Sequence, residues 1–333
     1  MQFGTVPLDQ AEGAILAHSL TLGGQRLRKG LILAAPDLAR LRAAGMATVT
    51  VARPAPTDIG EDAAAARLAA ALVPDSQAAG LTLTAPFTGR VNLNAARPGI
   101  LSLDVPGIHA LNRIDPALTL ATLRPMTRVA LGMLVGTVKI ITYAVPLTAL
   151  DQAEAAARGA VRVLPVTRQS AGLLLTEVPG QDEKVAQKGR RAIEGRLRAL
   201  GMTLAGVATV PHEAGAMAAA LARLPGEMLL ILTGSATSDL HDTGPQAVRQ
   251  AGGQVARFGM PVDPGNLLFH GHLGPRPVIG LPGCARSRAL NGADWVLERL
   301  ACGLEVTDDE IAGFGVGGLL KEIPARPQPR EPD

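Results

Sequence analysis

The chain has 333 residues, of which 47% are apolar but only 2% aromatic, with 32 basic against 29 acidic side chains. That length allows two or three domains whose cores are packed by alanine, leucine and valine. The pI near 9.2 reflects a small basic excess without a polycationic block, and stacking rings are scarce, so nucleic acid is not expected as a main partner. The opening run MQFGTVPLDQAEGAIL lacks the basic start and apolar core of a secretory signal. No apolar run reaches the roughly 18 residues of a membrane span; Met133 to Val145 comes nearest and contains a lysine. Two cysteines, Cys284 and Cys302, are too few for a disulfide framework, and their separation fits no zinc pattern. A cytoplasmic protein with no membrane partner is the expectation.

In chain order, residues 1–80 are predicted to be a mixed α/β segment. LRKGLILAAPDLARLRAAGMATVTVARP reads as strand, helix, a stop at Gly45 and a second strand, with Asp37 as a candidate N-cap. EDAAAARLAAALVP is a strong helix former. Residues 81–150 carry LTLTAPFTGRVNLNA, GILSLDVPG and TLATLRP, short alternating runs between turn residues that predict a small β-rich module. The segment LTALDQAEAAARGA then reads as a helical link.

From 151 to 304 strands and helices alternate. SAGLLLTEV, TLAGVATVPH, EMLLILTGS and RPVIGLPG read as strands. Between the first two, Val185, Ile193, Leu197 and Leu200 share a helical face that ends at Gly201. EAGAMAAALARLPG and DTGPQAVRQAGG are further helices, and ARSRALNGADWVLERLACG reads as one continuous helix carrying Trp295 against the sheet. This rhythm predicts α/β architecture: a three-layer parallel-sheet domain behind a mixed, largely β N-terminal region. Residues 305–333, including IPARPQPREPD, are expected to form a tail.

In an open parallel sheet, ligands bind beyond the carboxyl ends of the strands. Two loops there are unusual. The first, Thr233 to Asp242, follows EMLLIL and is rich in small hydroxyl residues, including Ser235, Thr237 and Ser238. It reads either as an anion cradle at a helix start or as an N-cap box with spare serines. The second runs from Gly280 to Ser287, where Gly283 permits close approach and Arg286 or Arg288 can pair with phosphate. A tight turn with solvated arginines is the other reading. The Gly- and Pro-punctuated stretch from Pro264 to Leu290 leads into this loop. Neither loop is a Walker sequence, and no GxGxxG follows an early strand.

Taken together, Thr233-Gly234-Ser235, Asp242, Pro264-Gly265-Asn266 and Leu281-Pro282-Gly283 occur in an order that resembles the molybdopterin-binding domain of molybdopterin molybdotransferases and adenylyltransferases. There a TGG-type loop and an Asp precede a PGKP-like segment and a GLPGNP-like turn. Thr176-Glu177-Val178 stands where a GDEL-like strand end would be, and the likeness covers roughly residues 168–304. The chain departs at Ser235 and Asp239, where glycines are usual, and at Cys284 and Ala285, where Asn and Pro are usual. No SAMDGYA-like segment is present.

The resemblance implies molybdopterin or molybdenum cofactor as ligand, with Mg2+ as a possible companion, and a role in cofactor biosynthesis or maturation. It assigns cofactor binding to Thr233, Gly234, Ser235, Thr237, Ser238, Pro264, Gly265, Asn266, Leu281, Pro282, Gly283, Cys284, Arg286 and Ser287, with Asp242 and Glu177 as candidate catalytic groups. Asp242 either binds the pterin edge or caps the next helix. Glu177 handles metal or simply ends a strand, and Cys284 meets the dithiolene or metal or is a small buried thiol. His270 and His272 share a strand face and are candidate metal ligands, though no cysteine or carboxylate lies near them in sequence, and His241, beside Asp242, is a candidate acid or base. Lys184 and Lys188 lie at i,i+4 on a charged helix face and read either as solvated or as reaching a ligand phosphate. An enzyme of this kind would insert molybdate into adenylylated molybdopterin. The alternatives are a carrier or partner of a nucleotidyltransferase or a molybdoenzyme, and a competence-damage-like hydrolase of nucleotide metabolites. A homo-oligomer is expected.

Overall fold

A computed structural model describes residues 1–180 and 182–321. The chain forms two compact units, Met1–Arg97 with Leu101–Leu164, and Pro98–Ile100 with the residues from Pro165 on.

The first unit begins with an antiparallel sheet in which Gln2–Pro7 and Ile15–Leu16 flank Thr48–Arg53. Its helix Ala35–Ala43 lies where the sequence predicts it and is followed by Gly45 at φ +78°. Asp37 is not its N-cap. Ala34 holds that position, and Asp37 reaches back from the first turn to accept the Ala34 N–H at 3.2 Å.

The alanine-rich helix Glu61–Leu72 buries Ala64, Ala65, Leu68, Ala69 and Leu72 in one core with Val91, Leu93 and Val138 of the β-rich segment. Leu150 and Ala153 of the helix Leu147–Ala156 join the same core. The expected borders at 80 and 150 therefore both fall inside one unit. The run LDVPG, read with the strands, opens a helix at Val105–Ile114. Asp104 caps it by accepting the Gly107 N–H at 3.1 Å, and Pro106 stands in the first turn, where its missing donor costs nothing.

The second unit is built on a six-stranded sheet, labelled here β1 (Ser170–Glu177), β2 (Thr203–Pro211), β3 (Met228–Leu232), β4 (Gln254–Phe258), β5 (Phe269–Leu273) and β6 (Arg276–Leu281). The order is β2-β1-β3-β6-β5-β4. The first four neighbours are parallel, and β5 and β4 extend the sheet antiparallel, an addition that the parallel reading did not contain. Among the described residues five α-helices accompany it: α1 (Glu183–Ala199), α2 (Ala214–Arg223), α3 (Thr243–Gln250), α4 (Gly292–Ala301) and α5 (Asp308–Gly313).

Strand periodicity sorts the side chains onto two faces. Leu173, Leu230 and Ile279 pack on one side with Ile193 and Leu197 of α1 and Val296 and Leu297 of α4. Leu174, Leu229, Ile231 and Val278 pack on the other with Met217 and Leu221 of α2 and Val248 of α3. Both faces are covered, which is why these strands read as unbroken apolar runs, and each fully buried leucine contributes roughly 1.5–3 kcal/mol. Three α/β layers result. Gly280 is required here because Phe269 lies opposite it on β5, and a Cβ at Gly280 would stand 1.9 Å from the Phe269 ring.

Two expectations change in this unit. The last helix is not continuous from Ala285: a 3-10 turn at Gly283–Arg286 gives way to extended chain, and α4 starts only at Gly292. Residues from 305 are also not all tail, because Ile311 of α5 and Phe314 are buried in the core and Trp295 meets the Phe314 ring edge-on at 5.3 Å. IPARPQPREPD lies outside the described residues.

His270 on β5 is buried, and its Nε2 has no hydrogen-bond partner among the described residues. Burial holds its pKa below the ordinary 6.5, with Asp308 pulling up and Arg257 pushing down. Above that value the ring is neutral in both folded and unfolded chains. As pH falls through it, the unfolded chain gains a proton that the folded chain refuses, so stability declines. Denaturant unfolding at about pH 7.5 and about pH 5.5 is expected to show this loss in the native chain and a flatter dependence in His270→Leu.

Candidate functional site

β3 and β6 are adjacent and parallel, with Leu232 aligned on Leu281. The loops that follow them therefore leave the same end of the sheet, one strand spacing of about 4.8 Å apart. The side chain of Arg286 ties the two together. Its Nη2 donates to the Thr233 carbonyl at 2.6 Å and its Nη1 to the Gly283 carbonyl at 3.3 Å. The stem lies against Gly189 of α1, where a Cβ would come within 3.3 Å of it. Its Nε is buried without a partner among the described residues, and burial lowers its pKa. Among the described residues no carboxylate pairs with Arg286, so a partly buried positive charge stands uncompensated between the loops.

In the first loop Thr233 and Thr237 are buried, whereas Ser235, Ala236 and Ser238 are exposed. The Gly234 N–H is already used, donating to Thr176 Oγ1 at 2.7 Å, and that hydroxyl also meets His212 Nδ1 at 2.9 Å. The N–H groups of Ser235, Ala236 and Thr237 find no acceptor among the described residues. The same holds for Gly283 and Cys284 at the start of the 3-10 turn. Five donors without an acceptor among the described residues thus sit on neighbouring loops beside a guanidinium that no carboxylate compensates, an environment that favours an anion.

Asp242 caps α3. One carboxylate oxygen accepts the Thr243 N–H at 2.6 Å; the other accepts the Ser238 N–H at 2.9 Å and the Ser238 hydroxyl at 3.3 Å. Burial alone would raise its pKa, but these hydrogen bonds, helped by His212, outweigh it and hold the carboxyl below the usual range. Both oxygens are committed to organising the loop. Glu177 is exposed at the end of β1, and its carbonyl accepts the His212 N–H at 3.0 Å. His241 is exposed, and its N–H donates to Asp239. His272 is exposed beside buried His270. Among the described residues no group of three His, Cys, Asp or Glu could hold a metal ion.

The second loop is fixed from beneath by residues that the sequence reading did not single out. Arg196 of α1 pairs with Asp294 at 2.5 Å and donates to the carbonyls of Ala285 at 2.9 Å and Ala289 at 3.1 Å. Asp294 accepts the Asn291 N–H at 2.8 Å, and buried Asn291 donates from Nδ2 to Cys284 Sγ at 3.0 Å. Asn three residues before Asp is a capping-box signal that marks the true start of α4. The Pro264–Gly265 turn docks on this same start: the Gly292 N–H donates to the Pro264 carbonyl at 2.8 Å. Gly265 has φ +140°, and a Cβ there would lie 2.6 Å from Gly292 N, so only glycine allows the approach. Asn266 is exposed, as are Ser287 and Arg288, while Leu281 and Pro282 are buried beneath the rim. Cys284 is exposed, which removes the buried-thiol reading for it; Cys302 is the buried thiol, pushed up to about 11 by burial and the nearby Glu298 charge.

Residues 5–53 match a family described as a domain of unknown function, DUF8806. No curated protein matches the chain. Among solved structures, the molybdopterin biosynthesis MoeA protein of Pyrococcus horikosii is similar at 14% identity and TM-score 0.31, over 92% of this chain and 76% of that one. A molybdenum cofactor biosynthesis protein of Pyrococcus furiosus is similar at 12% identity and TM-score 0.22, over 86% of this chain and 59% of that one. TM-scores this low carry no inference from those structures to this one.

Two outcomes follow from the geometry. Asp242→Ala is expected to destabilise the protein by about 1 kcal/mol through loss of the cap, measured by denaturant unfolding at neutral pH. That contribution is complete above the ordinary carboxyl value of 3.8 and fades as pH falls through the lower folded value. Under native conditions a thiol reagent is expected to label Cys284 quickly and Cys302 only after unfolding; equal labelling of both would contradict the burial described.

Proposed function

We propose that the rim of the second unit binds molybdopterin, or its metal- or nucleotide-bearing form, in the biosynthesis or maturation of molybdenum cofactor. The observation that carries this reading is Arg286, uncompensated by any carboxylate and bridging two loops whose free N–H groups face no protein acceptor. Molybdopterin carries a phosphate, a flat pterin and a dithiolene. The phosphate suits the N–H groups of Ser235, Ala236, Thr237, Gly283 and Cys284 together with Arg286. Hydroxyls of Thr233, Thr237 and Ser287 add donors around it, Ser238 shapes the loop through its bonds to Asp242, and the Pro264-Gly265-Asn266 turn supports the wall formed by Leu281, Pro282 and Gly283. Cys284 presents an exposed sulfur at the same edge. In a catalytic version the step is molybdate insertion into adenylylated molybdopterin, with Asp242 and Glu177 as its acidic groups.

One observation favours a binding or carrier role over turnover. Both oxygens of Asp242 are held by its own loop, and their donors stabilise the ionised form, so the carboxylate organises the site and is a poor proton acceptor.

The test uses the full chain and molybdopterin released from a molybdoenzyme under anaerobic conditions, followed by pterin fluorescence after oxidation. The native protein is expected to retain the pterin through gel filtration. Ser235→Asp and Cys284→Asp, each placing a negative charge at an exposed rim position, are expected to weaken binding by about tenfold or more, or 1.4 kcal/mol. Retention by neither the native chain nor the charge-neutral Ser235→Ala would overturn the proposal, as would equal retention by all variants.

A further inference from the structure

α1 is amphipathic in an unusual way. Its inward face carries Gly189, Ile193 and Leu197, all buried. The face directly opposite, at spacings of four, three, four and three residues, carries Lys184, Lys188, Arg191, Gly195 and Arg198, all exposed. The four cations form one straight row of about 21 Å, from the rise of 1.5 Å per residue. None of the four makes an ion pair among the described residues; the helix's own pair, Arg190 with Glu194 at 2.8 Å, lies to one side.

Local physics opposes this arrangement. Like charges at i,i+4 and i,i+3 destabilise a helix by a few tenths of a kcal/mol each, roughly 0.2–0.5. Lys184 also stands in the first turn, where the helix dipole disfavours cations, whereas Arg198 stands in the last, where it favours them. Among the described residues no ion pair offsets the repulsion along the row, and a local conflict left uncompensated is expected at functional surfaces. The stripe runs along the outer side of a helix whose inner side meets the rim, because α1 follows β1 and its buried Gly189 packs on Arg286.

We infer that the outer face of α1 is a docking surface for an acidic protein partner whose carboxylates lie along a rigid ridge of matching length. Placed beside the rim, it would orient a protein that delivers or receives the bound ligand, and in that respect it rests on the proposed function. Charge complementarity selects the partner's sign, and two further features select its class. A membrane-surface helix needs an apolar flank to insert, but the apolar face of α1 is buried in the core and only Val185 is exposed beside the stripe. Single-stranded nucleic acid needs stacking rings, and aromatic residues make up 2% of the chain.

The experiment measures binding of a fluorescent helical peptide, with Glu at i, i+4, i+7, i+11 and i+14, to the full-length protein by anisotropy. The native protein is expected to bind it at low salt and to lose affinity as ionic strength rises. Lys184→Glu/Lys188→Glu/Arg191→Glu is expected to lose at least about tenfold in affinity, while Lys184→Arg/Lys188→Arg/Arg191→Lys retains it. Reversal keeps the number of charges along the exposed row, so the reversed-charge variant should melt close to the native chain, and an unchanged melting temperature shows that weak binding does not reflect unfolding. It should also keep pterin binding, whereas Ser235→Asp should keep the peptide and lose the pterin, which separates failure of this surface from failure of the rim. Equal peptide affinity in the native and reversed-charge proteins would overturn the inference. So would tighter binding of the native stripe to phosphatidylserine vesicles or to a single-stranded oligonucleotide than to the peptide.

Discussion

Parallel pairing of β3 with β6, with Leu232 set against Leu281, is the constraint on which the rest of the second unit depends. It brings two loops separated by about fifty residues of chain to one rim, and it lets a single guanidinium reach the carbonyls of both. Arginine suits that task because its planar fork donates in several directions and stays charged when partly buried. A carboxylate beside it would have cancelled the charge; backbone carbonyls fix its position and leave the charge in place.

The remaining polar groups of the rim serve the same end. Asp242 closes the first loop onto α3, Thr176 and His212 anchor its start, and Arg196 with Asp294 and Asn291 holds the second loop in its extended path to α4. These bonds consume most donors and carboxylates nearby. What stays without an acceptor among the described residues is a small set of N–H groups on either side of Arg286, an arrangement that would favour negative charge.

Much of the second unit was legible from the sequence. Apolar runs such as SAGLLLTE and MLLIL are long enough for buried parallel strands and too short for helices, and glycine punctuation marked their loops. The Thr233 and Leu281 loops could be placed at one rim because strand–helix alternation fixes direction. Other features depended on contacts distant in sequence. The helix at Val105–Ile114 was hidden because GILSL and LDVPG read as one β texture, although Asp104 before Val-Pro-Gly was a capping signal. The break at residues 287–291 was hidden because ARSRAL has good helix propensity, which Arg196 overrides by holding the Ala285 and Ala289 carbonyls. Arg196 lies some ninety residues upstream, so no local pattern could reveal it. In the first unit, the shared core of Glu61–Leu72 with the β-rich segment likewise comes from packing that periodicity alone does not specify.

The most direct test of the anion-binding rim is residue-resolved amide NMR of the full chain during titration with inorganic phosphate and then molybdopterin. The account predicts that the amide signals of Ser235, Ala236, Thr237, Gly283 and Cys284, with the Arg286 Nε–H, move together along one saturating curve. Saturation at only one of the two loops, or shifts concentrated away from both, would contradict it.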